Sequence, residues 1–158
     1  MALTFAAGWD IIKNKDRTMK KSEPSGKKIL VIEDDPFLGD IYETKLKQNG
    51  YSVQIAATGE DGLLYLKDKK FDVLLLDIVL PKMDGWEVLN AIKQDRASGA
   101  NPNLDNLKII ILSNLGQKEE IEKGLGLGAD GFMIKAHFTP SQIVEEIKNT
   151  INNPKKTL

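Results

Sequence analysis

The sequence predicts a doubly wound α/β fold, a parallel five-stranded sheet with helices on both faces. Three observations carry that reading. Short apolar runs of strand length alternate strictly with longer stretches of helical period, which is the pattern of strands joined by right-handed helical crossovers. The run Val73-Leu74-Leu75-Leu76 has no polar partner on either face, so it reads as a strand covered on both sides. The residues that close four of the five runs are charged or hydroxylic, namely Glu33 and Asp34, Asp77, Ser113 and Lys135. In open α/β sheets ligands bind at that carboxyl edge.

Each element has its own local signals. Ile29 to Ile32 forms a first strand that runs into Glu33, Asp34 and Asp35, and Pro36 starts a helix on which Phe37, Leu38, Ile41, Tyr42 and Leu46 recur at helical spacing. Asn49-Gly50 ends that helix. A second strand spans Tyr51 to Ala57, and Thr58 caps a helix carrying Leu63, Leu64 and Leu66. After the third strand and Asp77, Pro81 stops the chain and Asp84-Gly85 opens a helix to about Arg96, with Trp86, Val88, Leu89 and Ile92 inward. Ala97 to Asn106 reads as a polar loop. Lys108 to Leu112 is a fourth strand, and a helix follows near Gln117 to Leu127 with glycines at 124 and 126 that weaken it. Gly131 to Ile134 is the fifth strand, and Thr139-Pro140-Ser141-Gln142 is a capping box for a last helix built on Ile143, Val144, Ile147 and Ile151.

Composition narrows the class. A chain of 158 residues holds one domain with a proper core and not two ordinary ones. The expected division is a tail over 1–26, a domain over 27–152 and a short tail over 153–158. A net charge of -1 argues against a general nucleic-acid binder, and the absence of Cys removes disulfide, thiol and zinc-thiolate chemistry. No stretch approaches the ~20 apolar residues of a membrane span, so the expected location is cytoplasmic. Lys13, Lys15, Arg17, Lys20 and Lys21 make the first segment locally basic. It reads either as a disordered tail or as a docking helix presenting Phe5 and Trp9.

The chemistry lies at the strand ends. Glu33, Asp34 and Asp77 repel one another unless a hard divalent cation such as Mg²⁺ sits among them. Asp77 then presents a carboxylate able to attack phosphorus, with the Lys135 ammonium neutralising charge on the phosphoryl oxygens and Ser113 donating a hydrogen bond. No GxGxxG or GxxxxGK[ST] loop follows the first strand, which counts against nucleotide binding. His137, the only histidine, has no partner that would make it a ligand or carrier.

The motifs VIEDDP, LLLDIVLPKMDG, IIILS and GADGFMIK together resemble the response-regulator receiver domains of two-component signalling, from about Lys27 to Asn152. The resemblance implies a flavodoxin-like strand order 2-1-3-4-5. It also implies Asp77 as phosphoacceptor, Asp34, Asp77 and the Val79 backbone carbonyl as Mg²⁺ ligands with Glu33 acting through water, and Ser113 and Phe132 as the switch pair. Phosphate would come from a sensor histidine kinase or a histidine phosphotransfer protein, and an unidentified protein would receive the signal. With only six residues after Asn152, no effector domain and no direct DNA binding are expected.

Some positions depart from the pattern. Ala136 follows Lys135 where such domains mostly carry Pro, and Asn114 replaces a small residue. Val79 and Leu115 are apolar where side chains tune dephosphorylation, so with Asn114 they predict a long-lived phosphorylated form. Two other functions fit parts of the pattern: a docking module that works without phosphate, and a magnesium-dependent phosphohydrolase. The second normally needs another acid two residues after the nucleophile, where this chain has Val79. Apart from its own phosphorylation and dephosphorylation, no enzymatic activity is expected.

Overall fold

The computed structural model describes residues 26–153, and the expectations for the tails 1–25 and 154–158 fall outside them. Five strands and five α-helices alternate. They are β1 (Lys28–Ile32), α1 (Pro36–Gln48), β2 (Ser52–Ala56), α2 (Gly59–Asp68), β3 (Val73–Leu76), α3 (Gly85–Ser98), β4 (Lys108–Ser113), α4 (Lys118–Gly126), β5 (Gly131–Ile134) and α5 (Pro140–Asn152). The sheet is parallel throughout and ordered β2-β1-β3-β4-β5. This is the doubly wound arrangement that the alternation predicts, in the flavodoxin-like order that the resemblance implies.

The side-chain period of two divides each strand between two cores. Leu30, Ile32, Leu74, Leu76, Ile109 and Ile111 face one side, where they meet Leu66 of α2 and Val88, Leu89 and Ile92 of α3. Ile29, Val31, Val73, Leu75, Ile110 and Leu112 face the other, against Tyr42 and Leu46 of α1 and Ile143, Val144 and Ile147 of α5. Because neighbouring positions are needed on both sides, the strands read as continuous apolar runs rather than alternating ones.

The helix starts are fixed by side chains. Asp35 caps α1 by accepting from the Phe37 and Leu38 amides, and Thr58 accepts from Asp61 N–H at the start of α2. Asp84 and Glu87 form a reciprocal capping box on α3, as Thr139 and Gln142 do on α5. By contrast α4 begins at Gln117 with no side-chain cap.

Two sequence expectations need correction. Phe37 and Leu64 are 70% and 58% exposed rather than inward; the buried positions are Gly39, Tyr42 and Leu46 on α1 and Gly59, Gly62 and Leu66 on α2, a narrower stripe than the apolar spacing suggests. The segment after α3 is not a featureless polar loop. α3 runs on to Ser98, Gly99 closes it in the left-handed region at φ 68°, and a 3-10 turn spans Pro102–Leu104. Buried Asn101 donates to the Leu66 carbonyl at 2.9 Å and Asn103 to the Lys67 carbonyl at 3.2 Å, so this segment caps the end of α2. Arg96 bonds the Leu104 and Leu107 carbonyls, and both of those leucines are buried. The Lys135–Ala136 peptide is trans, like every other described bond.

Tyr51 is buried beside β2, and its hydroxyl has no hydrogen-bond partner among the described residues. Burial, helped by the nearby Glu145 charge, pushes its phenol up to about 12. The folded state therefore holds that proton more tightly than an exposed phenol with a pKa of ~10. The linked stability is complete below pH ~10 and is lost as pH rises toward ~12. Tyr51→Phe should be neutral or stabilising by up to ~1 kcal/mol at neutral pH, because it removes an unpaired hydroxyl. It should also lose less Tm than wild type between about pH 9 and 11. Equal alkaline losses in calorimetry or circular dichroism would contradict this account.

Candidate functional site

Strand register assembles the site. Ile32 lies opposite Leu76 and Leu76 opposite Ile111, so Glu33 and Asp77 emerge side by side at the carboxyl edge. Ser113 lies opposite Ile134, which places Lys135 just beyond the end of β5. One carboxylate oxygen each from Glu33, Asp34 and Asp77 lies within 4.8 Å of the others. Glu33 and Asp77 are buried, whereas Asp34 is exposed.

Lys135 is the connector. Its ammonium donates to Glu33 Oε2 at 2.7 Å and to Asp77 Oδ2 at 2.8 Å, reaching from β5 past the end of β4 to β3 and β1. The remaining oxygens are also held. Val79 N–H donates to Asp77 Oδ1 at 3.1 Å, and Asp35 N–H donates to Glu33 Oε1 at 3.2 Å. Burial raises the Glu33 carboxyl above its usual range, against the hydrogen bond from Lys135 that lowers it. For Lys135 burial alone would lower the ammonium, but its bonds to Asp77 and Glu33 outweigh it and the net direction is up. Burial sets the direction for Glu33, and the excess of negative charge around the ammonium sets it for Lys135.

That excess also tests the fit to a metal. Three carboxylates against one ammonium leave two negative charges at the sheet edge, which a divalent cation would neutralise, and every donor is a hard oxygen. The backbone agrees. Among the described residues the Ile78 carbonyl accepts from Leu80 N–H and Gly85 N–H, while the Val79 carbonyl accepts no hydrogen bond. The loop is tight here: Lys82 adopts φ 64°, and a Cβ on Gly85 would collide with the Asp77 carbonyl.

The other expected residues lie around this centre without touching it. Ser113 is fully buried, and its hydroxyl accepts from Leu115 N–H at 3.1 Å, which leaves its own proton free to donate. Asn114 is exposed, and Leu115 is half-buried against the core. Phe132 packs on α4, where a Cβ on Gly124 would lie 3.2 Å from its ring. His137 is exposed.

The sequence did not single out an apolar rim. Phe37, Val79 and Phe138, exposed by 70%, 59% and 38%, follow β1, β3 and β5 at the same edge as the acids. Their signal was an apolar residue close behind each acidic or basic strand end. Trp86, expected as core, is only partly buried, and the Lys123 ammonium lies 4.3 Å from its ring centroid.

Comparison with known proteins places the chain in a family. The model of the response regulator receiver domain matches residues 29–148. A probable transcriptional regulator ycf27 of Guillardia theta is 31% identical over 142 residues, covering 90% of this chain and 52% of that protein. The alkaline phosphatase synthesis transcriptional regulatory protein PhoP of Bacillus subtilis is 35% identical over 124 residues, covering 77% and 47%. The chain thus spans about half the length of these curated relatives. Among solved structures, a CheY-like response regulator receiver domain protein from Methanospirillum hungatei superposes with a TM-score of 0.68 at 31% identity, covering 80% of this chain and 94% of that one. A putative response regulator from Chloroflexus aurantiacus gives 0.70 at 28% identity, covering 80% and 98%. With the family model spanning most of its length, this chain belongs to the response regulator receiver domain family.

Proposed function

We propose that this receiver domain, residues 27–152, is a switch that accepts a phosphoryl group on Asp77 and then changes its contact with a protein partner. The observation that carries the reading is the Lys135 bridge between Glu33 and Asp77, with the Asp34 carboxylate in reach of both acids. An Asp77 carboxylate oxygen attacks the phosphorus of a phosphohistidine. The P–N bond breaks and its electron pair returns to the imidazole nitrogen. Lys135 and the Ser113 hydroxyl stabilise charge on the phosphoryl oxygens.

Mg²⁺ fits the donor set and, when bound, neutralises the carboxylates and the incoming phosphoryl charge. Asp34, Asp77 and the Val79 carbonyl would hold it, with Glu33 acting through water. Catalysis beyond self-phosphorylation and self-dephosphorylation is not part of this reading.

A donor protein, either a sensor histidine kinase or a histidine phosphotransfer protein, suits the apolar rim. Any macromolecule that brings phosphorus to Asp77 must cover Phe37, Val79 and Phe138, and exposed apolar side chains around a charged centre favour a protein surface over water. The curated relatives are transcriptional regulators about twice as long. In this reading the receiver communicates by protein contact rather than by binding DNA itself, and it works in the cytoplasm. No helix of the described residues is long and apolar enough to cross a membrane.

Intact mass after incubation with phosphoramidate should show a Mg²⁺-dependent gain of one phosphoryl group that Asp77→Asn abolishes. An adduct that persists in Asp77→Asn would overturn the assignment.

The rim supplies a second expectation. Phe37→Asp should slow transfer from a phosphohistidine protein roughly tenfold, the scale of losing one good interface anchor. The rate with phosphoramidate should stay as it was. Equal slowing with both donors would place Phe37 in the chemistry rather than in docking.

Lifetime tests the residue beside the phosphoacceptor. Val79→Asn offers an amide that can orient water and should shorten the phosphorylated form about tenfold, the worth of one well-placed hydrogen bond. An unchanged decay rate would show that Val79 only packs.

A further inference from the structure

α4 is the least anchored helix at the carboxyl edge. Side chains cap α1, α2, α3 and α5, but the first residue before α4 offers none. Its second half rests directly on the sheet, because Gly124 has no side chain to hold it off. A Cβ there would lie 2.6 Å from Ile111 Cδ1 and 3.2 Å from the Phe132 ring. The neighbouring residue makes the lateral contact. Lys123 places its ammonium 4.3 Å from the centroid of Trp86 on α3, well within cation–π range.

Lys123 has an alternative one turn back, since Glu119 precedes it by four residues on the same helix. The ion pair formed on α4 is instead Lys118–Glu122, at 3.8 Å, and Lys123 goes to the indole. Trp86 is itself well held. It is the second residue of a helix with a reciprocal capping box, and it packs on the core that includes Val88, Leu89 and Ile92.

The site reaches α4 through a short path. Ser113 Oγ accepts from Leu115 N–H, and Leu115 lies two residues before the uncapped start at Gln117. A phosphoryl group on Asp77 gives the Ser113 hydroxyl a new acceptor. Turning toward it disturbs the Leu115 amide and, with it, the entry to α4. The Lys123 contact ties α4 to α3 across this movement.

We propose that the Lys123–Trp86 stack is a latch that holds α4 against α3 in the unphosphorylated protein and opens when Asp77 is phosphorylated. The proposal rests on the switch reading above and adds a named restraint to it. A contact made in only one of two states biases the equilibrium by its own free energy, so its loss should move the protein toward the phosphorylated arrangement. A cation–π contact of this exposure corresponds to a shift of about two- to fivefold.

The full chain with Trp9→Phe leaves Trp86 as its only tryptophan. In that background, phosphorylation by phosphoramidate with Mg²⁺ should change Trp86 emission. Lys123→Met, which keeps the aliphatic packing and removes the charge, should shift the unphosphorylated emission the same way and remove most of the phosphorylation response. It should also raise the initial phosphorylation rate about two- to fivefold. Lys123→Arg, which keeps the cation, should restore the response. Intact mass separates the two levels of the reading. If the adduct forms normally while Lys123→Met retains the full emission response and the parental rate, the latch is wrong and the switch stands. If no Mg²⁺-dependent adduct forms in the parent, the switch reading falls and the latch with it.

Discussion

The Lys135 ammonium is the constraint on which the site depends. Two carboxylates at the ends of adjacent strands, Glu33 on β1 and Asp77 on β3, would repel each other in a buried setting. Lys135 satisfies both from just beyond β5, and in doing so it crosses the end of β4. The register makes this possible, since a one-residue slip in any of the three pairings would turn one of these side chains to the wrong side of the sheet. The two apolar cores that fix the register thereby hold the charges in place.

Three of the site residues, Glu33, Asp77 and Ser113, are also tied to the start of a helix. Glu33 accepts from the amide of Asp35, which caps α1. Asp77 touches the Val79 amide, and its carbonyl leaves no room for a side chain at Gly85, the first residue of α3. Ser113 accepts from Leu115, just before α4. Helix amino termini carry partial positive charge, so α1 and α3 begin where negative charge is concentrated. Charge gained or lost at the site therefore acts on several helices at once, most freely on the one without a cap.

Much of this was legible in the chain. The apolar runs Ile29–Ile32, Val73–Leu76, Lys108–Leu112 and Gly131–Ile134 located four strands, and the residues that close them are Glu33 and Asp34, Asp77, Ser113 and Lys135, because position at a strand end depends on local sequence alone. Phe37 and Leu64 misled because helical spacing shows which residues share a face but not how wide the buried stripe is. Gly39 on α1 and Gly62 on α2 take buried positions that a count of apolar side chains overlooks. The segment after α3 misled for a different reason. Asn101 and Asn103 look like loop residues, and their partners, the Leu66 and Lys67 carbonyls, lie 35 and 36 positions away. The Lys123–Trp86 contact was hidden in the same way, since neither residue's spacing within its own helix reveals the other.

That Lys135 donates to both Glu33 and Asp77 has an evolutionary consequence. If a descendant of this chain lost the aspartate to a neutral residue, the buried ammonium would not be stranded, because the Glu33 carboxylate would still hold it. On the proposed reading, the phosphoacceptor can therefore be lost while the fold is kept. A copy that no longer accepts phosphate can keep its lysine, its sheet edge and its surfaces, and can drift toward a new role without first passing through an unstable protein.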